Sequence, residues 1–203
     1  MVDEAAEAGA DAIKFQTFKT ENLVTKTAQQ AEYQVKNMGQ SSTQFDMLKK
    51  LELSYADFQQ LKQYCDTKNM IFLSTPFDFE SVDFLIHDLG LDLLKIPSGE
   101  ITNAPYLYKI AQQDVNVIMS TGMATIQDIH HALAFLAYGF TKRIDVSFEK
   151  VKAFYTSDAA KQVLKEKVSI LHCTSEYPAP VEHVNLNALG KLSGEFQLNI
   201  GLS

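Results

Sequence analysis

Residues 93–100, with the sequence LLKIPSGE, join a short, mostly apolar run to a polar tip. The run Leu93–Ile96 is too short for a helix that must bury an apolar stripe, which predicts a strand. The polar tip follows at the carboxyl end of this strand. The same pattern, an apolar run and then polar residues, recurs along the chain and decides the predicted fold.

Six such runs, rich in Ile, Leu, Val and Phe, are predicted strands. They are Ala12–Thr17, Ile71–Thr75, Leu93–Ile96, Val115–Ser120, Val168–Cys173 and Gln197–Leu202. Amphipathic helices are predicted between them. Because strands that alternate with helices imply parallel pairing and right-handed crossovers, the predicted fold class is α/β.

Helix start signals lie between these strands. Residues 54–57 (SYAD) and 125–128 (TIQD) have the capping-box pattern, and Pro105 suits the first position of a third helix. In the helix that follows residues 125–128, Gly139 is the predicted carboxyl-terminal stop. The segments between the strands are therefore predicted to be regular helices.

Two α/β architectures compete, a closed barrel and an open doubly wound sheet. No G-x-G-x-x-G follows the first strand, and no Walker-type phosphate loop is present. Polar residues end nearly every strand, and a barrel gathers the carboxyl ends of all its strands at one mouth, whereas an open sheet gathers those near its switch point. The prediction is an incomplete (β/α)8 TIM barrel with strands two to seven, strand one being expected before Met1 and strand eight after Ser203.

Two stretches interrupt the repeat of strand and helix. Thr20–Lys50 is long, polar and Gln-rich, and is predicted to be a lid or excursion over the barrel mouth. Thr141–Lys167 is charged and is predicted to be a partly helical insertion. Otherwise residues 1–203 are expected to form one partial barrel domain.

Composition excludes several functional classes. The formal net charge is −7 without a basic stripe and interleaved aromatics, so nucleic acid is not an expected partner. No apolar run approaches the roughly 20 residues that span a bilayer, and the acidic start does not resemble a secretory signal. Cys65 and Cys173 lie far apart without metal-ligand spacing. The sequence predicts a reduced, cytoplasmic protein that binds neither membranes nor nucleic acid.

Lys14 and Lys95 interrupt apolar strands. In Ala12–Thr17, alternation places Lys14 and Gln16 on one face and apolar side chains on the other, which suits an outer helix layer. A buried lysine is costly unless a negative charge pairs with it. One hypothesis is that each lysine caps a strand end or forms an ion pair with a carboxylate such as Glu100, and the other is that each lysine binds an anionic ligand.

Hydroxyl groups near the lysines favour the anionic ligand. Thr75, Ser98 and Ser120 lie at strand tips and suit a phosphate or carboxylate, while Glu100 adds a carboxylate that could move a proton. A lysine could instead form a Schiff base, as in barrel aldolases, but that alternative gives the second lysine no role.

His172 and Cys173 are neighbours on one predicted strand. Neighbouring side chains point to opposite faces, so the two cannot form a nucleophile pair. Cys173 is expected to pack under a helix. His172 could be a metal ligand or a hydrogen-bonding residue of the barrel wall, and the wall is the favoured interpretation. Residues 177–180 (YPAP) form a rigid loop that either holds an aromatic ring over a strand tip or is a structural turn.

Six segments together resemble the sialic acid synthase family, which includes N-acetylneuraminate synthase and legionaminate synthase. They recur in the family's order and cover nearly the whole chain except Thr141–Lys167. The segments are AGADAIKFQT (8–17), FLSTPFD (72–78), KIPSGEITN (95–103), STGMAT (120–125), HCTSEYPAP (172–180) and GLS (201–203).

The resemblance implies a transferase of carbohydrate biosynthesis. It would condense phosphoenolpyruvate with an N-acylated hexosamine of the N-acetylmannosamine type, forming a C–C bond and releasing phosphate. A divalent metal, Mn²⁺ or Mg²⁺, would polarise the aldehyde, and the complete protein would be a homodimer. A Schiff-base aldolase acting on sugar phosphates and a non-catalytic remnant that binds ligand without turnover are the alternative hypotheses.

The resemblance also implies roles for individual residues. Lys95 and Glu100 would be catalytic. The residues that would contact phosphoenolpyruvate are Lys14, Thr75, Lys95, Ser98, Ser120, Ser175 and Ser203, and those that would face the sugar are Gln16, Glu100 and Tyr177. No metal ligand is expected within the chain, because the family's ligands and its carboxy-terminal antifreeze-like domain are expected beyond Ser203.

Overall fold

The computed structural model describes residues 1–31, 34–35, 42–174 and 178–203. The chain divides into two compact units, Met1–Gly90 and Leu91–Ser203. Every ladder between the strands of a unit is parallel. The predicted α/β class with parallel sheets is therefore confirmed.

The amino-terminal unit contains a two-stranded sheet. Its elements are α1 (Val2–Glu7), β1 (Ala12–Thr17), α2 (Thr20–Leu23), α3 (Gln44–Leu51), α4 (Tyr55–Thr67), β2 (Ile71–Pro76) and α5 (Phe79–Asp83), which continues into a π-helical turn over Phe84–Asp88. In the parallel β1–β2 ladder, Ala12 lies opposite Ile71 and Gln16 opposite Thr75. The predicted strands agree with β1 and β2 to within one residue.

Aromatic packing fixes which face of the β1–β2 sheet meets α4. The rings of Phe15 and Phe72 stack with centroids 5.1 Å apart, and Phe58 of α4 meets Phe72 edge-on at 6.5 Å. Since side chains alternate along a strand, Lys14 and Gln16 lie on the opposite face of the sheet. The predicted division of β1 into an apolar and a polar face is confirmed.

The carboxy-terminal unit contains four parallel strands in the order β3-β4-β5-β6. Its elements are β3 (Leu93–Ile96), a 3₁₀ turn (Ser98–Glu100), α6 (Ala104–Ala111), β4 (Asn116–Ser120), α7 (Ile126–Phe140), α8 (Phe148–Tyr155), α9 (Asp158–Lys167), β5 (Val168–His172), a 3₁₀ turn (Val181–His183), α10 (Asn187–Phe196) and β6 (Asn199–Leu202). The predicted strands match these four, with ends that differ by at most two residues.

One face of this sheet is buried over β3, β4 and the first half of β5. The side chains there are at most 2% exposed, and they are Leu94, Ile96, Val117, Met119, Val168 and Ile170. The ladder places Lys95 opposite Ile118 and Ile118 opposite Ser169, so these three residues share the other, less buried face. Burial of the first face drives the packing of the sheet against helices, because removal of apolar area from water is the main favourable contribution to folding.

Side-chain caps begin the helices as the sequence predicts. The Ser54 Oγ accepts from the Asp57 N–H at 3.1 Å, and the Asp57 carboxylate accepts from the Ser54 N–H at 3.0 Å. Thr125 and its partner three residues later form the second capping box. Pro105 is the second residue of α6 rather than the first, a position in the first turn where its missing N–H costs nothing.

Gly139 does not end α7, so the predicted helix stop is wrong. The helix continues to Phe140, and the left-handed turn residue after it is Lys142 with φ 56°. A β-carbon at position 139 would lie 2.6 Å from the Ala111 Cβ and 2.9 Å from the Tyr108 carbonyl oxygen. Glycine is therefore required by the close approach of α6 and α7.

The predicted insertion Thr141–Lys167 contains α8 and α9, which confirms its partly helical character. Val151 of α8 is buried with Ala134 and Tyr138 of α7. The long stretch Thr20–Lys50 contains α2 and most of α3, but its part at 32–33 and 36–41 lies outside the described residues, and a role as a lid stays a prediction. Of the helices that the structure describes, none is both long and apolar enough to cross a bilayer.

A polar chain of side chains joins α8 to two further helices. The Tyr155 hydroxyl lies 2.8 Å from His130 Nδ1, and His130 Nε2 lies 2.9 Å from Glu195 Oε1. Burial raises the pKa of the Tyr155 phenol to about 12. The phenol is therefore neutral at physiological pH and serves as a hydrogen-bonding tie between α8 and α7.

Candidate functional site

Lys95 belongs to β3, the first strand in the order of the carboxy-terminal sheet, and lies on the less buried face of that sheet. Its side chain is half buried, and burial lowers the pKa of its ammonium group, an effect that nearby Cys173 partly opposes. Lys95 forms no ion pair with any described carboxylate, Glu100 included. The hypothesis that Lys95 pairs with Glu100 is therefore wrong, and the lysine remains a candidate for binding an anionic ligand.

Ser120 ends β4 and supplies a second polar group to this unit. The residue is 3% exposed, and its Oγ has no hydrogen-bond partner among the residues that the structure describes. An unpaired buried hydroxyl costs about 1–3 kcal/mol, so such groups in folded proteins usually serve a ligand or water. Ser120 thus has the hydrogen-bonding capacity that its predicted role requires.

The tips of three strands converge near Ser98. A β-carbon at Gly122, just after β4, would lie 3.3 Å from the Ser98 Oγ and 3.3 Å from the Thr174 carbonyl oxygen. Ser98 follows β3 and Thr174 follows β5. Glycine at 122 therefore lets the tips of β3, β4 and β5 approach one another, which places the hydroxyl of Ser98 among them.

Glu100 is held by a short local hydrogen bond. Its Oε2 accepts from the Asn103 Nδ2 at 2.6 Å, while the Asn103 Oδ1 accepts from the Tyr106 N–H at 3.2 Å. Both residues lie between β3 and the first turn of α6. Sequence reasoning assigned Glu100 to the site but overlooked Asn103, although its position as an N-cap before Ala104 was visible.

The structure corrects the interpretation of Cys173, the neighbour of His172 at the end of β5. His172 follows the alternation of buried Val168 and Ile170, whereas Cys173 lies close enough to Lys95 to influence its pKa. The interpretation that Cys173 packs under a helix is therefore wrong, whereas the place of His172 on a barrel wall stays a prediction. Alternation showed that the two side chains oppose each other, but only the burial of their neighbours shows which face each one takes.

The remaining predicted residues of this unit lie near the ends of β5 and β6. Ser203 follows β6, is exposed, and donates its N–H to the His172 carbonyl at 2.9 Å. Ser175 and Tyr177 lie outside the described residues. Their predicted roles stay predictions.

The amino-terminal unit has its own polar strand tips. Lys14 and Gln16 are exposed on β1, and Gln16 lies opposite Thr75 in the ladder. Thr75 is 2% exposed, and its Oγ1 has no partner within the described part of the chain. The neighbouring Ser74 is satisfied instead, since its hydroxyl lies 2.7 Å from the Thr17 Oγ1.

Two other features help to delimit the candidate site. A cavity of about 430 Å³ borders Leu133, Leu164 and Phe196, and none of the predicted site residues lines it. Among the described residues, no group of three or more His, Cys, Asp or Glu side chains is arranged to hold a metal ion. The strand tips therefore define the candidate site better than this cavity does.

Parallel sheets whose strand tips carry a half-buried lysine and unpaired buried hydroxyls define a class of α/β protein suited to binding anions. The family comparison identifies the class further, because residues 1–203 match the NeuB family over their full extent. The chain belongs to the NeuB family. The resemblance to sialic acid synthases is thereby confirmed.

Individual relatives agree with this assignment. The chain is 45% identical over 203 residues to N,N'-diacetyllegionaminic acid synthase of Legionella pneumophila, covering 100% of this chain and 51% of the relative. It is 41% identical to the Campylobacter jejuni protein of the same name, covering 54% of it, and 27% identical to human N-acetylneuraminate-9-phosphate synthase, covering 49%. The chain spans about half the length of the curated relatives it matches.

Solved structures show the same fold. The crystal structure of N-acetylneuraminic acid (sialic acid) synthetase from Leptospira borgpetersenii, in complex with citrate, matches with a TM-score of 0.71 at 29% identity, covering 100% of this chain and 57% of that one. DAHP synthase from Thermotoga maritima matches with a TM-score of 0.55 at 14% identity, covering 99% of this chain and 54% of that one, which is a likeness of fold alone.

Proposed function

We propose that the chain carries the phosphoenolpyruvate-binding part of a nonulosonic acid synthase. The observation that carries this proposal is half-buried Lys95, which lacks a described counter-charge and belongs to a sheet whose Ser120 hydroxyl is buried and unpaired. A doubly charged phosphate and a carboxylate on one small substrate suit such a set of donors. The names of the relatives support the same reaction class.

The proposed architecture is a (β/α)8 TIM barrel in which β1–β6 are strands two to seven. Support comes from parallel ladders between strands that follow one another in the chain, β1–β2 and β3–β6. The strand tips that carry the candidate residues would then be the catalytic end of the barrel. One domain over residues 1–203, a homodimeric complete protein and a cytoplasmic location belong to the same proposal.

The proposed ligand contacts follow from the resemblance and from the geometry within each unit. The residues proposed to contact phosphoenolpyruvate are Lys14, Thr75, Lys95, Ser98, Ser120, Ser175 and Ser203. Those proposed to face the sugar, an N-acylated hexosamine of the N-acetylmannosamine type, are Gln16, Glu100 and Tyr177. Unpaired hydroxyls support Thr75 and Ser120, and burial supports Lys95.

The proposed reaction forms one C–C bond and breaks one C–O bond. The C2–C3 π electrons of phosphoenolpyruvate attack the aldehyde carbon of the open-chain sugar, and the aldehyde oxygen takes up a proton. Water adds at C2 and loses a proton, which leaves a hydroxyl group there. The phosphate then leaves with the electrons of its bond to C2 and takes up the proton of that hydroxyl, which gives the ketone of the product. Lys95 would balance the charge on the departing phosphate, and Glu100 would carry a proton at the sugar.

A divalent metal, Mn²⁺ or Mg²⁺, is part of the proposal for the complete enzyme. When bound, such an ion would act as a Lewis acid on the aldehyde. The described residues do not gather a ligand set for it, so no step above depends on it. The chain's own contribution in this proposal is to bind phosphoenolpyruvate and to place Glu100.

A Schiff-base aldolase is the second candidate, because burial lowers the pKa of Lys95 as a nucleophilic lysine requires. Borohydride treatment in the presence of phosphoenolpyruvate, pyruvate or a sugar phosphate, followed by mass spectrometry, separates the two functions. The synthase proposal expects no covalent adduct. An adduct on Lys95 would favour the aldolase.

Calorimetric titration of phosphoenolpyruvate into the 203-residue chain tests the proposal directly. We expect phosphoenolpyruvate to bind. Inorganic phosphate and pyruvate should each compete with it but bind more weakly, since each supplies only one of the two anionic groups. A matched variant, Lys62→Met, removes a partly exposed lysine that pairs with Asp66 on α4 and should bind as the wild type does. Absence of any binding would contradict the proposal.

A further inference from the structure

Asn103 uses both ends of its side chain at once. Its Oδ1 accepts from the backbone N–H of Tyr106 and so caps α6, while its Nδ2 donates to the carboxylate of Glu100. The orientation of the amide is unambiguous, because only the oxygen can accept from a backbone N–H. The cap and the tie to Glu100 therefore come from the same rigid amide group.

Other helices of the described chain use a different kind of cap. Six of them have a side-chain cap made by serine, threonine or aspartate, at Thr43, Ser54, Asp78, Thr125, Ser147 and Ser157. Any of these residue types would cap α6 about as well as asparagine does. Capping alone therefore does not explain an asparagine at position 103.

The second task does explain the asparagine. An ionised aspartate cannot donate to Glu100 at all, and a serine would have to use its one short hydroxyl for both contacts, as Ser54 does with Asp57. The longer amide makes the two contacts with two separate atoms. The segment is rigid as well, because the Glu100 N–H donates to the Pro97 carbonyl and the Asn103 N–H donates to the Glu100 carbonyl, each at 3.0 Å. The carboxylate is thus fixed relative to both β3 and the beginning of α6.

We propose that Asn103 is a positioning residue that orients the Glu100 carboxylate for hydrogen bonding to the sugar substrate. The inference rests on the proposed function, in which Glu100 faces the sugar. Asn103 acts through Glu100 and touches no substrate itself. It therefore affects sugar binding and leaves the contacts of Lys95 and Ser98 with phosphoenolpyruvate unchanged.

Two variants separate positioning from capping. Asn103→Ser keeps a capping oxygen but replaces the amide N–H that reaches Glu100 by a shorter hydroxyl, and Asn103→Asp keeps the cap but places a second carboxylate beside Glu100. Both should melt close to the wild type. With phosphoenolpyruvate saturating, we expect affinity for N-acetylmannosamine to fall about three- to tenfold in Asn103→Ser and further in Asn103→Asp, while phosphoenolpyruvate affinity is unchanged.

A cycle with Glu100→Ala provides the internal control. If Asn103 acts only through Glu100, the Asn103→Ser change should have no further effect on sugar affinity once Glu100 is removed. Sugar affinity equal to wild type in both Asn103 variants would overturn the proposal. Losses of sugar affinity that merely follow a loss of thermal stability would also overturn it, since they would indicate a purely structural role for Asn103.

A ligand-free measurement distinguishes failure of this inference from failure of the proposed function. In NMR spectra of the 203-residue chain, Asn103→Ser should shift the Glu100 side-chain carboxyl ¹³C signal and increase the mobility of its methylene groups. If the wild type binds no sugar but Asn103→Ser still releases the Glu100 carboxylate, the proposed function alone is contradicted. An unaltered Glu100 signal would overturn the positioning role.

Discussion

Lys14 and Lys95 occupy similar places in the sequence pattern, yet the two units of the molecule treat them differently. In the amino-terminal unit Lys14 is exposed on a two-stranded sheet, whereas in the carboxy-terminal unit Lys95 is half buried in a sheet of four strands. Burial lowers the pKa of Lys95. Strand alternation therefore determines which face of the sheet a lysine lies on. The surrounding elements determine how deeply its ammonium group is buried, and so how strongly an anion would stabilise it.

The largest expected effect comes from removing Lys95. Lys95→Met should weaken phosphoenolpyruvate binding about ten- to a hundredfold, because a charged hydrogen bond contributes about 1.5–3 kcal/mol. Lys14→Met should weaken it only about two- to fivefold, since exposed charges are screened by water. Calorimetric titration of both variants measures the difference. Equal losses of phosphoenolpyruvate affinity in the two variants would show that burial does not distinguish the two lysines.

Two adjacent residues of β2 extend the comparison to hydroxyl groups, because Ser74 has a hydrogen-bond partner and Thr75 has none among the described residues. Ser74→Ala removes the partner of fully buried Thr17, and should lower the free energy of unfolding by about 1–3 kcal/mol. Thr75→Val replaces a hydroxyl that has no described partner, so the variant should be as stable as the wild type or more stable, by up to about 1–3 kcal/mol. Urea denaturation compares the two variants.

Ligand binding should show the reverse order for these hydroxyls. Thr75→Val should weaken phosphoenolpyruvate binding about three- to tenfold, whereas Ser74→Ala should leave it unchanged in the folded protein. Ser120→Ala, in the carboxy-terminal unit, should behave like Thr75→Val. If Thr75→Val destabilised the protein and bound normally, its hydroxyl would have a structural role instead.

Acid should affect the amino-terminal unit through Glu52. Burial raises the pKa of this carboxyl, but hydrogen bonds from Thr20 and the nearby Lys49 outweigh that effect and bring it to about 2. A depressed pKa stabilises the fold above the unfolded value of 4.5, and this stability is lost as pH falls from there towards 2. Glu52→Gln should cost about 1–2 kcal/mol at pH 7.

The pH dependence of unfolding provides the measurement for Glu52. Between pH 5 and pH 2 the wild type should lose its advantage over Glu52→Gln, and the two proteins should converge. Hydrogen exchange at Met1–Gly90 assigns the change to the correct unit. A constant difference across this range would show that Glu52 does not titrate with the depressed pKa.

The smallest expected effect is the alkaline behaviour of Lys95. Its folded pKa lies below 10.5, so between these two values the unfolded chain binds more protons and stability rises with pH. Lys95→Met lacks this contribution and should be somewhat more stable than wild type at pH 7, with a gap that narrows as pH approaches 10.5. Thermal melts from pH 7 to 10.5 would show the narrowing, and parallel curves would contradict it.

Local sequence signals predicted most of the fold. The strands were found because each is a short apolar run, and the caps at Ser54 and Thr125 because both partners of a capping box lie within four residues. Gly139 was misjudged because its neighbours, Ala111 and Tyr108, come from another helix. Contacts between distant segments leave no local pattern, so the close approach of α6 and α7 could not be predicted.

For the candidate site, the sequence shows residue types but not the contacts between them. Hydroxyl and lysine side chains at strand tips were visible in the sequence, and the unpaired state of Thr75 and Ser120 agrees with their predicted roles. The faces taken by His172 and Cys173 were not predictable from alternation alone. Asn103 was overlooked because its significance depends on a hydrogen bond to Glu100, and side-chain hydrogen bonding is decided by geometry rather than by residue type.

The glycine at 139 also limits how this protein can evolve. Replacing Ala111 by glycine would remove one of the two atoms that a β-carbon at 139 would strike, but the Tyr108 carbonyl, 2.9 Å away, is main chain and remains whatever residue occupies 108. No single compensating substitution can therefore open the position. A lineage could lose this glycine only by shifting a whole helix, so surveys of variants should find position 139 intolerant even where its neighbours diverge.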